Sequence, residues 1–276
     1  MKLAENERES RTVIEKFQSW FRLAFAKAVL EVLSKFEIEM VISPESLEQL
    51  QKIDTYLKHG SIIVYANHTS MLDAFLGIPT AIAHLPHLRK AIYLLAEKYA
   101  IPNSRKKASF VIAPITKVVN SLGVVAVPVP QRLSEQADDR KKQRGKKRLA
   151  KYEAKRDYLM NKEGSAAGFT PEATRDESIT MTQFKDGVVK TVLMYPDSLC
   201  CPFGLIPLGG KTFELVVGEP KLAQEMTSSI ADRLATETDP VVIKQLLREV
   251  TDQFGFEVAQ LLPENMRGYY SLEGKE

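Results

Sequence analysis

The chain has 276 residues, 44% of them hydrophobic and 26% charged, which is enough apolar material for one large domain with a helical appendage and excludes a disordered chain. Two adjacent cysteines, Cys200 and Cys201, exclude a disulfide-stapled scaffold, and no apolar run approaches the ~18 residues of a membrane-spanning helix. The net charge of +3 hides an asymmetry: residues 131–163 hold 12 Lys or Arg against 6 Asp or Glu, while the remainder is slightly acidic.

Residues 7–36 read as one long helix, with Val13, Phe17, Trp20, Ala24 and Ala28 recurring at three- and four-residue intervals. That aromatic stripe suits either a protein core or a membrane interface. The charged N-terminus does not read as a secretory leader, so the expected location is cytoplasmic, with peripheral contact at the inner face of a membrane. A short strand follows at 36–42. Ser43 then caps a second helix that Pro44 opens.

Beyond this point strands and helices alternate. Strands are expected at 62–65, 92–96, 124–127, 166–169, 199–208 and 213–217. Helices are expected at 70–84, 107–121, 134–161, 184–195, 222–236 and 240–262. The alternation predicts an α/β fold, a mostly parallel mixed sheet flanked by helices, with an N-terminal helical extension. The expected division is an N-terminal helical region at 1–58 and an α/β domain at 59–276.

The apolar run 61–66 leads directly into Asn67-His68-Thr69-Ser70-Met71-Leu72-Asp73. Residues five apart on a helix lie about 140° apart, so His68 and Asp73 meet only if His68 precedes the helix and Asp73 sits in its first turn. Ser70 as N-cap gives that arrangement, and the helix dipole there keeps Asp73 ionised. A histidine so held is a candidate general base. The same Ser-x-x-Asp spacing is also a capping box, which would employ Asp73 structurally.

A second segment, Phe169-Thr170-Pro171-Glu172-Ala173-Thr174-Arg175, follows an expected strand. Arg175 offers a planar fork for phosphate, and Glu172 and Thr174 can orient a polyol. Equally, the segment reads as a surface loop opened by proline. Phe184-Lys185-Asp186-Gly187 precedes a helix. Pro202 and Pro207 interrupt a buried strand, which marks an edge, bend or bulge. His84 and His87 flank Pro86 with no third ligand nearby, so no metal site is expected. The cysteines read as buried and inert.

In this order the segments resemble the glycerolphosphate/lysophosphatidate acyltransferase family, whose blocks are Asn-His-x4-Asp, Gly-x-x-Phe-Ile-x-Arg, Phe-Pro-Glu-Gly-Thr-Arg-Ser, Phe-Lys-x-Gly and a final Pro-containing strand. The resemblance spans 61–208. It implies an O-acyltransferase of phospholipid biosynthesis, with His68 as base and Asp73 as its partner. It further implies substrate contacts from Asn67, Ser70, Glu172, Thr174, Arg175, Lys185 and Pro207, with Arg175 on the acceptor's phosphate. The implied donor is a thioester, acyl-CoA or acyl-carrier protein, with no other cofactor and no metal. The implied acceptor is glycerol 3-phosphate or a lysophospholipid.

Three positions depart from the family pattern: Val129 stands at the arginine of the second block, Ala173 at a glycine, and Thr170 at an aromatic residue. The alternatives they raise are a non-glycerophosphate acceptor or a non-catalytic acyl-CoA- or lipid-binding protein on the same fold. The basic segment 140–156 suits the phosphates of CoA, an acidic carrier protein or an anionic bilayer. Nucleic acid is not expected, since Tyr152 and Tyr158 alone are available for stacking and no recognition motif is present.

Overall fold

The computed structural model describes residues 20–21, 23–35, 37–68, 73–96, 124–129, 139–172 and 179–271. The elements in chain order are α1 (residues 23–35), β1 (Glu39–Ile42), α2 (Pro44–Leu57), β2 (Ser61–Ala66), α3 (Asp73–His84), β3 (Lys90–Ala96) and β4 (Val124–Val129). There follow α4 (Asp139–Met160), β5 (Ser165–Phe169), α5 (Gly187–Met194), β6 (Leu199–Gly209), β7 (Thr212–Val217), β8 (Lys221–Leu222), α6 (Ala223–Thr236) and α7 (Pro240–Gln260). The helix expected at 107–121 lies outside the described residues.

The fold is α/β. Eight strands form one mixed, mostly parallel sheet in the order β1-β7-β6-β2-β5-β3-β4, with β8 also on β6. β4, β3, β5, β2 and β6 run parallel, β7 and β8 run antiparallel to β6, and β1 pairs parallel to β7. Residues 39–57 therefore belong to the α/β body rather than to a separate helical region. β1 is an edge strand of the sheet, and Leu50, Ile53 and Leu57 of α2 are buried with Ile62 of β2, Leu205 of β6 and Leu215 of β7.

Period-two alternation sorts the central strands between two helical layers. Ile62 and Ala66 of β2 face α2 and α3, packing with Leu50, Ile53 and Ile82. Ile63 and Tyr65 face the opposite layer, with Val188 and Val192 of α5 and Phe254 and Val258 of α7. Both surfaces of these strands are covered, which is why β2 and β6 read as continuous apolar runs. Among the described residues no helix is long and apolar enough to cross a membrane.

Local chemistry sets the element ends. Ser43 Oγ accepts the Ser46 amide at 3.2 Å and Pro44 opens α2, as the sequence anticipates. Gly164 enters β5 at φ 68°, and a Cβ there would lie 2.6 Å from the His87 carbonyl, so glycine is required. The prolines of β6 sit where pairing is interrupted. The Gly218 amide bonds the Pro202 carbonyl at 3.0 Å, in the gap between β7 and β8, so the missing Pro202 amide faces a broken ladder. Pro207 adjoins a bulge before Gly209.

The aromatic stripe running into α1 divides. Ala26 is buried and Phe25 partly buried against the α2 layer, while Trp20 and Phe21 are 63% and 49% exposed.

Candidate active site

At the C-terminal ends of the parallel strands, two neighbours part company. From β2 the chain passes to α3 on one face of the sheet; from β5 it passes to α5 on the other. Such a divergence is the topological position at which open α/β sheets place a ligand crevice above the strand ends. His68 emerges from β2 at this crevice and Glu172 emerges from β5.

The two are joined across it. Oε1 of Glu172 accepts the backbone N–H of His68 at 2.8 Å, and Oε2 accepts the backbone N–H of Thr182 at 2.9 Å and its hydroxyl at 3.3 Å. Glu172 is buried, 3% exposed, while His68 is half-buried at the crevice. Burial pushes the Glu172 carboxyl pKa up; the amides of Thr182 and His68 and the nearby imidazole pull against that rise.

Asn67 pins the other side of β2. Its Nδ2 donates to the Leu205 carbonyl at 2.9 Å and its Oδ1 accepts the Leu205 amide at 2.8 Å. The amide side chain so continues the β2–β6 ladder one step past the point where the β2 backbone departs. The strand end under His68 is thereby held from both neighbours, β6 through Asn67 and β5 through Glu172.

Thr182 is itself fastened from below. Met181 exchanges backbone hydrogen bonds with Met266 and Tyr269 at 2.9 and 3.0 Å, and the Lys185 amide bonds the Pro171 carbonyl at 2.8 Å. The Phe184 amide donates to the Tyr270 hydroxyl at 2.9 Å, and Arg248, paired with Asp252, donates to the Phe184 carbonyl at 2.6 Å. Tyr270 is fully buried, and Gly255 makes room for it: a Cβ at 255 would lie 2.1 Å from its ring. The chain's C-terminal turns are thus linked through 181–184 and Glu172 to the backbone of His68.

The sequence-derived candidates fall as follows. Asn67, His68 and Glu172 come together at the strand ends. Asp73 is the first residue of α3. Lys185 is exposed beside the β5 exit, anchored by its amide to Pro171. Pro207 lies further along β6, opposite Phe213 at the bulge. Ser70, Thr174 and Arg175 lie outside the described residues. Among the described residues no group of His, Cys, Asp and Glu could hold a metal ion.

Both thiols are buried and free, Cys200 toward the α5–α7 layer and Cys201 toward α2, and burial pushes both pKa values up. Neither is a nucleophile in this state. Sequence reasoning did not find Thr182, Tyr270 or Arg248. No local pattern marks them; their importance comes from the packing of distant segments.

No protein-family model and no curated protein sequence matches the chain.

Proposed function

We propose that the protein is an O-acyltransferase that moves a fatty acyl group from acyl-CoA or acyl-carrier protein to a hydroxyl of glycerol 3-phosphate or a lysophospholipid. The observation that carries the reading is His68 at the crevice between the β2 and β5 exits, its backbone clamped by the buried Glu172 carboxylate. In this mechanism the imidazole removes the proton of the attacking hydroxyl. The alcohol oxygen bonds to the thioester carbonyl carbon, the C–S bond breaks, and the imidazolium returns the proton to the departing thiolate. Asp73, at the head of α3, stabilises the protonated ring. Glu172 serves this base by fixing its backbone, since both of its oxygens are engaged by protein donors. Arg175 binds the acceptor's phosphate, and the enzyme works on the cytoplasmic side of a membrane.

The test is acyl transfer from labelled acyl-CoA to glycerol 3-phosphate or lysophosphatidate by wild type and His68→Ala. Turnover by the former, reduced about 10²–10⁴-fold in the latter, is expected. Equal activity in both would remove the base from His68. Arg175→Ala should chiefly raise the KM for a phosphorylated acceptor.

One observation favours a second acceptor class. Val129, at the family's arginine position, ends β4, three strands from β2 and so about 14 Å away across the sheet. An acceptor without glycerol phosphate has no need of a cation there. A panel of phosphorylated and unphosphorylated alcohols separates the two.

A further inference from the structure

The outer face of α4 carries cations without matching anions among the described residues. Lys147, Lys151, Lys155 and Tyr158 recur at intervals of four, four and three residues and are all exposed, Tyr158 by 57%. At 100° per residue these positions keep within one narrow strip about 16 Å long. Lys162, just past the helix end, extends it: its ammonium lies over the Tyr158 ring, 3.8 Å from the centroid, and bonds the phenol at 2.6 Å. Lys90, the first residue of β3, adds a fifth cation. Lys162 first, then Lys90, hold the Tyr158 phenol pKa down.

Among the described residues the helix's carboxylates are elsewhere. Glu153 and Asp157 each follow a row lysine by two residues, which turns them about 160° away. Asp157 is engaged by Tyr195 and Arg156. Among the described residues no carboxylate pairs with Lys147, Lys151 or Lys155. Like charges one turn apart disfavour a helix, so the row is tolerated at the expense of local stability. The inner face compensates, with Tyr152, Leu159 and Met160 buried in the core.

We infer that this row is the face by which the protein lies on an anionic phospholipid bilayer. The inference deepens the membrane-side part of the proposed function and rests on it. Charge complementarity selects an anionic surface. The residue type selects a fluid one: the described row is lysine throughout, a hydrated point charge with no bidentate geometry for a fixed partner. A straight strip with an amphipathic tyrosine within it fits a flat headgroup layer.

The exposed Trp20 and Phe21 sit on the opposite layer of the sheet, since α1 packs with α2 and α4 packs with α5 and α7. One bilayer contact along the layers therefore uses one of these surfaces.

The experiment is cosedimentation of the full chain with vesicles of phosphatidylcholine, with and without phosphatidylglycerol, at low and high salt. Wild type should bind only the anionic vesicles and release them as salt rises. The triple variant Lys147→Gln, Lys151→Gln, Lys155→Gln should lose roughly a hundredfold in partition while keeping its circular dichroism, because it relieves repulsion. Lys52→Gln with Lys190→Gln, which remove lysines from ion pairs on other helices, should bind as wild type does. His68→Ala should also bind, so that loss of chemistry and loss of docking are told apart.

Three results would overturn the inference: no anionic-vesicle binding by wild type, a loss that follows Trp20→Ala with Phe21→Ala instead of the lysines, or retention of a short RNA duplex with no vesicle binding.

Discussion

Among the described residues two histidine–carboxylate pairs stand at opposite ends of the sheet, and the better-looking pair is in the worse place. At the N-terminal end, Asp54 of α2 takes both the backbone N–H of His87 at 2.8 Å and its ring Nδ1 at 2.6 Å. That is the geometry usually sought for an oriented base. Yet His87 lies on the turn leading into β3, with no divergence of strand exits beside it. At the C-terminal end, Glu172 holds the backbone N–H of His68 and turns its second oxygen to Thr182. The lesson is that a hydrogen-bonded histidine becomes a candidate base through where the topology puts it. Asp54 closes a turn; Glu172 holds a strand end open at a crevice.

The largest expected effect breaks this comparison directly. His68→Ala should lower kcat about 10²–10⁴-fold with the fold intact. His87→Ala should leave kcat as it was and lower stability by less than about 1 kcal/mol, because the ring is 41% exposed and its partnership is screened. Steady-state kinetics alongside urea denaturation reads both. A fall in kcat for His87→Ala, with His68→Ala unaffected, would move the active site to the other end of the sheet.

Next in size are the two clamps on the His68 strand end. Asn67→Ala strips partners from the buried N–H and C=O of Leu205, and each orphan costs about 1–3 kcal/mol. Glu172→Ala removes the shared acceptor of the part-buried amides of His68 and Thr182. Both should shift the urea midpoint strongly. They part in kinetics: the Glu172 variant should lose kcat as well, because His68 is no longer fixed, and Glu172→Gln should recover part of it through its carbonyl oxygen. Were Glu172→Ala instead to raise only the KM for the acceptor, the carboxylate would be a substrate contact.

These clamps also show how far the sequence could be read. Elements were legible where one local rule sufficed: the Ser43-Pro44 cap, the apolar runs of β2 and β6, the periodicity of α7. The prolines of β6 were legible as interruptions, although the strand that breaks beside Pro202 was not. β8, two residues long, carries no pattern of its own, and the antiparallel turn of β7 depends on Gly209 and Gly210 at φ 101° and 59° rather than on strand composition. Asn67, His68 and Glu172 could be nominated, but Asn67 reaches a partner 138 residues away and Glu172 one 104 residues away. Their roles as clamps exist only once β5 and β6 have closed around β2.

A smaller effect sharpens the link from the C-terminal turns. Tyr270→Phe removes the hydroxyl that receives the Phe184 amide while keeping the ring packed edge-on to Phe184 at 5.4 Å. One buried amide loses its partner, so stability should fall about 1–2 kcal/mol. Amide hydrogen exchange should then rise at 181–184. If exchange is unchanged there, the C-terminal turns do not support the Thr182 segment.

The subtlest consequence lies in the pH response of Glu172. Its carboxyl pKa is raised by burial, so the folded state holds that proton more tightly than the unfolded chain does. Its contribution to stability is therefore most favourable below the ordinary carboxylate range. That contribution declines as pH rises from the ordinary value to the raised one and is constant above it. The geometry moves the other way: a protonated carboxyl turns one oxygen into a donor, which then faces the N–H of His68 or of Thr182. Acid should relax the clamp on His68 while this group's titration favours the fold. In Glu172→Gln nothing titrates at the position, so the declining limb should vanish from a series of denaturation curves taken across the acid range. An unaltered limb in that variant would mean that the proton is held by another carboxyl, and that Glu172 stays ionised as the strap between the two strand exits.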